Sequence, residues 1–509
     1  MTATVTPYRP SQRVGRDGFL QLLHAEWTKF RTVLGWATGM VMAALMVVLV
    51  ALLAGVSSDQ QGAPPVPIGP GGEPVTDSFY FVHQPLAGDG SITVAVSALT
   101  TSIPKGLGDV QPGVVPWAKA GIIVKESTRQ GSPYAAIMVT SSHGVRMQDN
   151  YVNDRAGLPG PVSAASVRWL RLDRSGDTIT GYASTDGTTW AKVGTTRVSG
   201  LGSAVQVGLF VASPQAVEGL GTTGSVSTAA FGDLRFQGDW TGGEWTGEQL
   251  GARSPTFAGY PPPASGSFTR SGGRFTVTGA GDIAPAVRYS LPTAGTLSNI
   301  LTGTFAALIA VIVVGALFIT TEYRKKLIHV TLAASPRRGR VLLAKAIVLG
   351  AATFVAGLAG TVVAALLGER LARANGVYIF PVTSSTELRV ALGTAALLAT
   401  ASILALSVGA IFRNSASAVT TVIVAIVLPY ILVANPFMPT SVANWLTRVT
   451  PAAAFAVQQT LVQYPQVASP YTPYNDYYPL TPWAGLAVLA GYAVVSLAVA
   501  AVVLRRRDA

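Results

Sequence analysis

Six long apolar runs stand out in the pattern of hydrophobic and polar positions. Each consists almost entirely of leucine, isoleucine, valine, alanine and other uncharged residues, and each is close to the roughly 20 residues that cross a bilayer as a helix. Because backbone groups in lipid must be hydrogen-bonded within their own segment, we predict six transmembrane helices. Their expected bounds are 32–56, 301–319, 346–367, 390–412, 416–433 and 483–504.

The first run also invites comparison with a signal peptide, which would have a shorter apolar region and a small-residue cleavage site. Its length favours a helix that spans the membrane. Before it, four large apolar side chains recur at helical spacing: Phe19, Leu23, Trp27 and Phe30. This spacing is typical of an amphipathic helix in the membrane interface. A simple helical extension of the first span is the alternative, and both interpretations stay open.

The stretch between the first two runs has the period of β-strands. It opens with a Pro/Gly-rich linker and continues with alternating segments such as SITVAVSAL (91–99) and QVGLFVAS (206–213). Residues 166–194 read as three strands separated by RSGD and TDG turns. Many short strands with Gly-rich turns predict a β-sandwich. Residues 267–283 are expected to supply edge strands of the same or a second sandwich.

These patterns divide the chain into four parts. The expected order is an N-terminal cytoplasmic segment (1–31), a first span (32–56), an extracellular β-rich insert (57–296) and five further spans (297–509). The last part contains a basic loop at 321–345.

Charge is scarce and unevenly placed. Charged residues make up 12% of the chain and the net charge is +12, whereas soluble proteins carry about 25% charged residues. The insert holds 16 basic and 17 acidic side chains, so the other 20 basic and 7 acidic ones lie beside or within the apolar part. Membrane lipid is therefore an expected partner, and nucleic acid is not.

Lysine and arginine also predict the orientation of the spans. The N-terminal segment, the 321–345 loop, the turn at Arg413 and the C-terminal tail hold five, seven, one and three of them, against four in the opposite loops 368–389 and 434–481. By the positive-inside rule, both termini are expected in the cytoplasm and the insert outside the cell.

The 321–345 loop has a shape as well as a charge. Tyr323, Leu327 and Val330 fall at helical spacing, and Pro336 and Gly339 then oppose continued helix. A short helix and a turn that join two spans can transmit force. The alternative is that the loop merely sets the topology.

The sequence ITTEYRKKLIHVTLAASPRRGRVLLAKAIV, together with EWTKFRT at 26–32, resembles ABC-2 type permeases, the six-span membrane subunits of ATP-driven exporters. This loop departs from many relatives at Lys326 and Leu327, where they have Gly-Thr. The matching positions are Glu322, Tyr323, Thr331, Leu332, Pro336, Arg337, Arg338 and Lys345, and Arg324 is assigned to the same loop. The resemblance implies a coupling loop that contacts a separate cytoplasmic ATP-binding subunit, and a second permease copy in a dimer.

The chain itself is not expected to be an enzyme. No phosphate-binding loop of the form G-x-x-x-x-G-K-[ST] occurs, so ATP hydrolysis would belong to the partner subunit. Residues 77–236 resemble concanavalin-like jelly-roll modules attached to bacterial extracellular proteins. The glycosidase motif E-x-D-x-x-E is absent, so catalysis is not expected there either. The expected fold class is a polytopic α-helical membrane protein of a bacterial-type cell membrane with an inserted all-β jelly roll.

Four aromatic residues of the insert are candidates for stacking on a sugar ring, if they are exposed rather than core residues: Trp117, Tyr134, Tyr151 and Trp190. Cell-wall carbohydrate is thus a candidate ligand. His83 and His143 have no neighbours at metal-binding spacing, so neither a metal nor a cofactor is predicted.

Two functions remain. The favoured one is the permease subunit of an exporter with an extracellular binding module. The alternative is a membrane-anchored carbohydrate-binding, cell-wall-binding or adhesion protein, but an anchor needs one span rather than six. An ion-driven transporter would usually place acidic residues within its spans, and the six runs contain none.

Overall fold

The computed structural model describes residues 18–106, 109–218, 221–240, 243–251, 266–325, 327, 337–433 and 438–507. Within them, six helices are long and apolar enough to cross a membrane: Leu34–Ser57, Leu297–Arg324, Arg338–Ala374, Ser384–Phe412, Ser415–Val433 and Pro482–Arg506. Each contains or overlaps one predicted run, so the prediction of six membrane helices is confirmed. The third helix is the longest, because it continues beyond the predicted apolar run at both ends.

The helices, in chain order, are α1 Phe19–Thr32, α2 Leu34–Ser57, α3 Leu297–Ile300, α4 Thr304–Arg324, α5 Arg338–Ala374, α6 Ser384–Phe412, α7 Ser415–Val433, α8 Thr440–Val449 and α9 Pro482–Arg507. A 3₁₀ turn, Leu301–Gly303, joins α3 to α4. Val33 has extended backbone angles between α1 and α2. The segment before the first span is therefore a separate helix rather than a continuous extension of that span.

The helices pack through small residues. A Cβ atom added to Gly360 of α5 would lie 2.9 Å from the Cα and the carbonyl oxygen of Ala44 in α2. A Cβ on Gly315 of α4 would lie 2.5 Å from the carbonyl oxygen of Ser402 in α6. Glycine at these points lets the backbones approach closely, which is how membrane helices gain van der Waals contact.

The insert consists of antiparallel sheets. The strands are β1 Val75–Asp77, β2 Phe79–Ala87, β3 Gly90–Gly106, β4 Asp109–Gly113, β5 Lys119–Lys125, β6 Tyr134–Thr140, β7 Val145–Asp149, β8 Asn153–Ala156, β9 Arg168–Ser175, β10 Thr178–Ser184, β11 Ala191–Arg197, β12 Ala204–Ala212, β13 Ala216–Glu218, β14 Gly221–Thr223, β15 Val226–Gly238, β16 Thr246–Leu250, β17 Ser267–Ser271, β18 Arg274–Gly279 and β19 Ile283–Pro285. One sheet has the order β11-β10-β9-β3-β15-β18-β17, with β4 also paired to β3, and the other has the order β16-β2-β12-β5-β6-β7-β8.

The two large sheets share one apolar core. It combines Val94 and Leu170 of the first sheet with Ile122, Val207 and Leu209 of the second, all fully buried. The strands predicted from alternation at 91–99, 166–194 and 206–213 are confirmed. The edge strands predicted within 267–283 are β17 and β18, which extend the first sheet next to β15. They therefore belong to the same sandwich.

The insert is tied to the helical part at several points. Its entry strand β1 pairs with its exit strand β19. The segment between α8 and α9 reaches it as well, because the side-chain amide of Gln466 donates to the carbonyl oxygen of Val152 at 2.8 Å. Ala284, Val287 and Val467 form a small buried cluster at the same junction.

Candidate functional site

Four charged side chains meet where α1, the end of α4 and the start of α5 converge. Lys345 Nζ donates to Glu26 Oε2 at 2.8 Å and to Glu322 Oε1 at 2.7 Å. Lys29 Nζ lies 3.0 Å from Glu26 Oε1 and 3.4 Å from Glu322 Oε1. Two ammonium groups thus alternate with two carboxylates, and we call this group the four-charge cluster.

The cluster is largely shielded from solvent. The side chain of Lys345 is 0% exposed, those of Glu26 and Glu322 are 1% and 6% exposed, and that of Lys29 is 38% exposed. The ring of Phe318, one helical turn before Glu322, lies 4.8 Å from Lys345 Nζ and adds a cation–π contact. Removing one partner of a buried ion pair costs about 3–5 kcal/mol, because the other charge is left unpaired. The cluster therefore holds three helices together only while it is complete.

Local helix geometry positions these groups. Glu26 and Lys29 are three residues apart in α1 and so lie on one face. Glu322 stays helical because α4 continues past the apolar run to Arg324. Burial lowers the pKa of Lys29, but the carboxylates of Glu26 and Glu322 raise this pKa by more, so that Lys29 stays charged.

Other residues of the 321–345 loop make separate contacts. The Arg413 guanidinium lies 5.1 Å from the centre of the Tyr323 ring. Arg338 donates to the carbonyl oxygen of Leu504, at the end of α9, at 2.8 Å. Arg324 and Arg337 are exposed. Of the predicted site residues, Thr331, Leu332 and Pro336 lie outside the described residues.

Sequence reasoning missed part of the cluster. Glu26 and Lys29 lie within the EWTKFRT segment, but the sequence did not predict either of them as a site residue. It also predicted no partner for Lys345. The available signal was a carboxylate within the apolar positions of α1, three residues before a lysine. When the helix packs, a carboxylate at that position is buried, and a buried charge is unfavourable unless a cation pairs with it.

The insert has a second group of buried charges, on the outer face of its second sheet. Lys125 Nζ donates to Asp77 Oδ2 at 2.8 Å, and both side chains are 0% exposed. Lys119 Nζ lies 2.8 Å from Asp282 Oδ1. Burial lowers the pKa of Lys125, while Asp77 raises it by less. Asp77 belongs to β1 and Asp282 precedes β19, so these pairs fix the entry and exit strands to the sheet.

Three of the four aromatic candidates are not exposed. Tyr134 and Tyr151 are 0% and 1% exposed, and Trp117 is 6% exposed and stacks on His143 with a centroid distance of 4.0 Å. The Tyr151 hydroxyl donates to Asp77 Oδ2 at 2.6 Å. These three rings are therefore core residues, the alternative stated for them above, because the chain's own segments cover them. Trp190 is half-buried, and its predicted role in stacking on a sugar ring stays a prediction.

Known structures give weak likenesses. They include a Saccharomyces cerevisiae protein of unknown function (16% identity, 32% of this chain, 77% of that chain, TM-score 0.22). Scytalido-glutamic peptidase with a transition-state analogue inhibitor matches at 10% identity over 40% of this chain and 98% of that chain, with a TM-score of 0.25. The alginate lyase from Klebsiella pneumoniae matches at 13% identity over 30% and 60%, with a TM-score of 0.17. At these TM-scores the likenesses carry no argument.

No curated protein matches the chain. A family profile does. The profile described as "ABC-2 family transporter protein" matches residues 137–509, which is well over half of the sequence and includes five of the six membrane helices. The chain therefore belongs to the ABC-2 transporter family.

Proposed function

We propose that the chain is the membrane-spanning permease subunit of an ATP-driven exporter and that the loop at 321–345 couples it to a separate ATP-binding subunit. Family membership supports a multi-pass membrane permease and implies an ATP-binding partner. The observation that carries the coupling is the four-charge cluster, which joins both flanks of the loop to α1.

The cluster ties together the two described flanks of the loop. Glu322 stands at the end of the span before the loop, and Lys345 lies in the first turns of the span after it. Separating these buried charges would cost several kcal/mol. A push on the loop therefore moves α1, α4 and α5 together rather than parting them. Motion of this kind would open the transport path alternately to the two sides.

The exposed arginines of the loop are the proposed contacts to the ATP-binding subunit. Arg324 and Arg337 reach solvent, while Glu322 and Arg338 bind other helices of the same chain, α5 and α9 respectively. In this proposal the loop and both termini are cytoplasmic, and a second permease copy completes the path. The surplus of basic residues on that side supports this orientation.

The insert is proposed to be an extracellular jelly roll with a binding role. Two antiparallel sheets around a common core support the fold. The alternative, a cell-wall-binding or adhesion protein, is less well supported. The sheet face that holds Tyr134 and Tyr151 is covered by the entry and exit strands, and of the four candidate rings only Trp190 keeps a partly free face.

Co-purification tests the proposal. The tagged chain, extracted in mild detergent, is expected to retain a protein with a phosphate-binding loop, identified by mass spectrometry. Reversing both exposed charges (Arg324→Glu with Arg337→Glu) is expected to lower its recovery by about tenfold or more, since the two interfacial charge contacts together contribute at least about 1.4 kcal/mol. The control is Arg197→Glu, which lies on the insert. Recovery unchanged by the double reversal would contradict the coupling role.

A further inference from the structure

A cavity lies at the junction between the insert and the helices, on the side opposite the coupling loop. Its volume is about 470 Å³, within the range of roughly 300–1,000 Å³ that is usual for small-molecule sites. One wall is α8 and another is the segment before α9, with Gln463 and Tyr471. On the side of the insert, Val217 of β13 lines the cavity.

Four polar side chains of this cavity are free to bind a ligand, and three of them, Thr440, Arg448 and Gln463, are exposed. Thr440, Asn444, Arg448 and Gln463 line it, and among the described residues none of these four side chains forms a hydrogen bond or ion pair. Arg448 is the one charged residue in the described lining. The Arg448 guanidinium carries five N–H groups, and its planar fork suits the oxygen atoms of a phosphate.

The helix that carries Arg448 has a second, apolar face. Thr440, Asn444 and Arg448 are four residues apart and share the cavity face, whereas Val442, Trp445 and Val449 are 43%, 61% and 41% exposed on another face. Ala443 and Thr447 pack inward. A short helix with exposed Val and Trp on one side and Arg on another is typical of the membrane interface. We therefore expect a cavity beside this helix to open at the level of lipid headgroups.

We propose that this cavity binds the phosphate group of an anionic amphiphile whose acyl chains lie along the apolar face of α8. Arg448 would hold two phosphate oxygens, while Asn444 and Gln463 would donate to the remaining acceptors. The site does not depend on the coupling loop, so it can stand or fall independently of the proposed coupling role.

Binding measurements on the purified full chain in neutral detergent test this site. The probes are a tail-labelled phosphatidylglycerol and a diacylglycerol with the same label and no phosphate. Phosphatidylglycerol is expected to bind at least about tenfold more tightly, because charge-assisted hydrogen bonds are lost with the phosphate. Arg448→Gln is expected to remove that preference, and Asn444→Ala to weaken phosphatidylglycerol binding several-fold. Arg197→Gln, on an exposed strand of the insert, is the control.

A competition experiment also distinguishes a lipid phosphate from a soluble phosphate as the natural ligand. Displacement of the lipid by inorganic phosphate at a similar concentration would support a phosphate site that serves soluble anions. Lack of displacement would support a lipid site. Equal binding of the two lipids, or wild-type binding by both Arg448→Gln and Asn444→Ala in samples that elute as folded protein, would overturn the proposal.

Discussion

Lys345 is fully buried between two carboxylates that come from other helices. Its ammonium group lies within 2.8 Å of both Glu26 and Glu322. The arrangement is strong only as a set, because the low dielectric that strengthens the contacts also penalises any charge left unpaired. At the scale of single residues, the stability of the junction between α1, α4 and α5 therefore depends on a complete four-charge cluster.

Replacing Lys345 with methionine tests this dependence. We expect Lys345→Met to destabilise the folded protein by about 3–5 kcal/mol and to abolish stimulation of the partner's ATPase, since two buried carboxylates are left to share the partly exposed Lys29 as their one cation within the cluster. Thermal unfolding in detergent and ATPase assays in proteoliposomes measure the two effects. The matched control is Arg340→Met, an exposed cation on the same helix, with an expected change within about 0.5 kcal/mol. Equal unfolding temperatures for the two variants would rule out the structural role of the cluster.

Tyr151 gives a prediction for pH. Burial, followed by the charge of Asp77, raises the pKa of Tyr151 far above its usual value of 10.0. Its neutral hydroxyl therefore stabilises the insert fully below about pH 10, and this stabilisation is lost as the pH rises towards the folded-state pKa. We expect wild-type stability to fall above about pH 10. Tyr151→Phe should be about 1–3 kcal/mol less stable near neutrality and should fall less steeply. Parallel pH profiles in thermal unfolding would show that the hydroxyl has no such role.

At the scale of elements, glycine contacts between helices make a matched pair of tests. Gly360→Ala puts a methyl group against the backbone of Ala44, whereas Gly491→Ala of α9 meets nothing within 4 Å. We expect the first to destabilise by about 1–3 kcal/mol through overpacking. The second should be neutral or stabilise by up to about 1 kcal/mol through helix propensity. Thermal unfolding of both variants is the measurement, and a smaller loss in Gly360→Ala than in Gly491→Ala would disprove the close α2–α5 contact.

The spans and most strands are predictable because the lipid or water around each element determines its pattern of hydrophobic and polar residues. Lipid selects uninterrupted apolar runs, and a sheet with one wet face alternates, as β12 does at Val205 and Val207. Helix ends are harder, because a helix can extend beyond its apolar run. α5 begins at Arg338, eight residues before the predicted 346, because basic residues at the membrane surface are also good helix formers.

The sites were harder to predict for a different reason. β5 and β6 are buried along their whole length, so neither strand alternates, and the lysines at both ends of β5 look like surface residues in the sequence. Their partner carboxylates lie far along the chain, Asp77 in β1 and Asp282 just before β19. Likewise, Glu26 meets Lys345 across 319 residues. Pairings of this kind depend on tertiary packing, which local periodicity does not encode.

At the scale of the whole molecule, the insert and the 321–345 loop are attached to opposite ends of the same helices. The insert enters and leaves through the paired strands β1 and β19 and also contacts the segment before α9. The four-charge cluster lies at the other end, on α1, α4 and α5. Movement of the spans at the loop would therefore reach the insert through continuous, packed connections.

Labelling of engineered cysteines tests the central claim most directly, because the natural chain has none. Arg337→Cys lies in the loop and Lys192→Cys on the insert, both at exposed positions. With a membrane-impermeant maleimide outside intact cells, we predict labelling of Lys192→Cys alone. Arg337→Cys should react only after the membranes are opened, and more slowly when the ATP-binding subunit is bound. Labelling of Arg337→Cys from outside, with Lys192→Cys protected, would contradict the account.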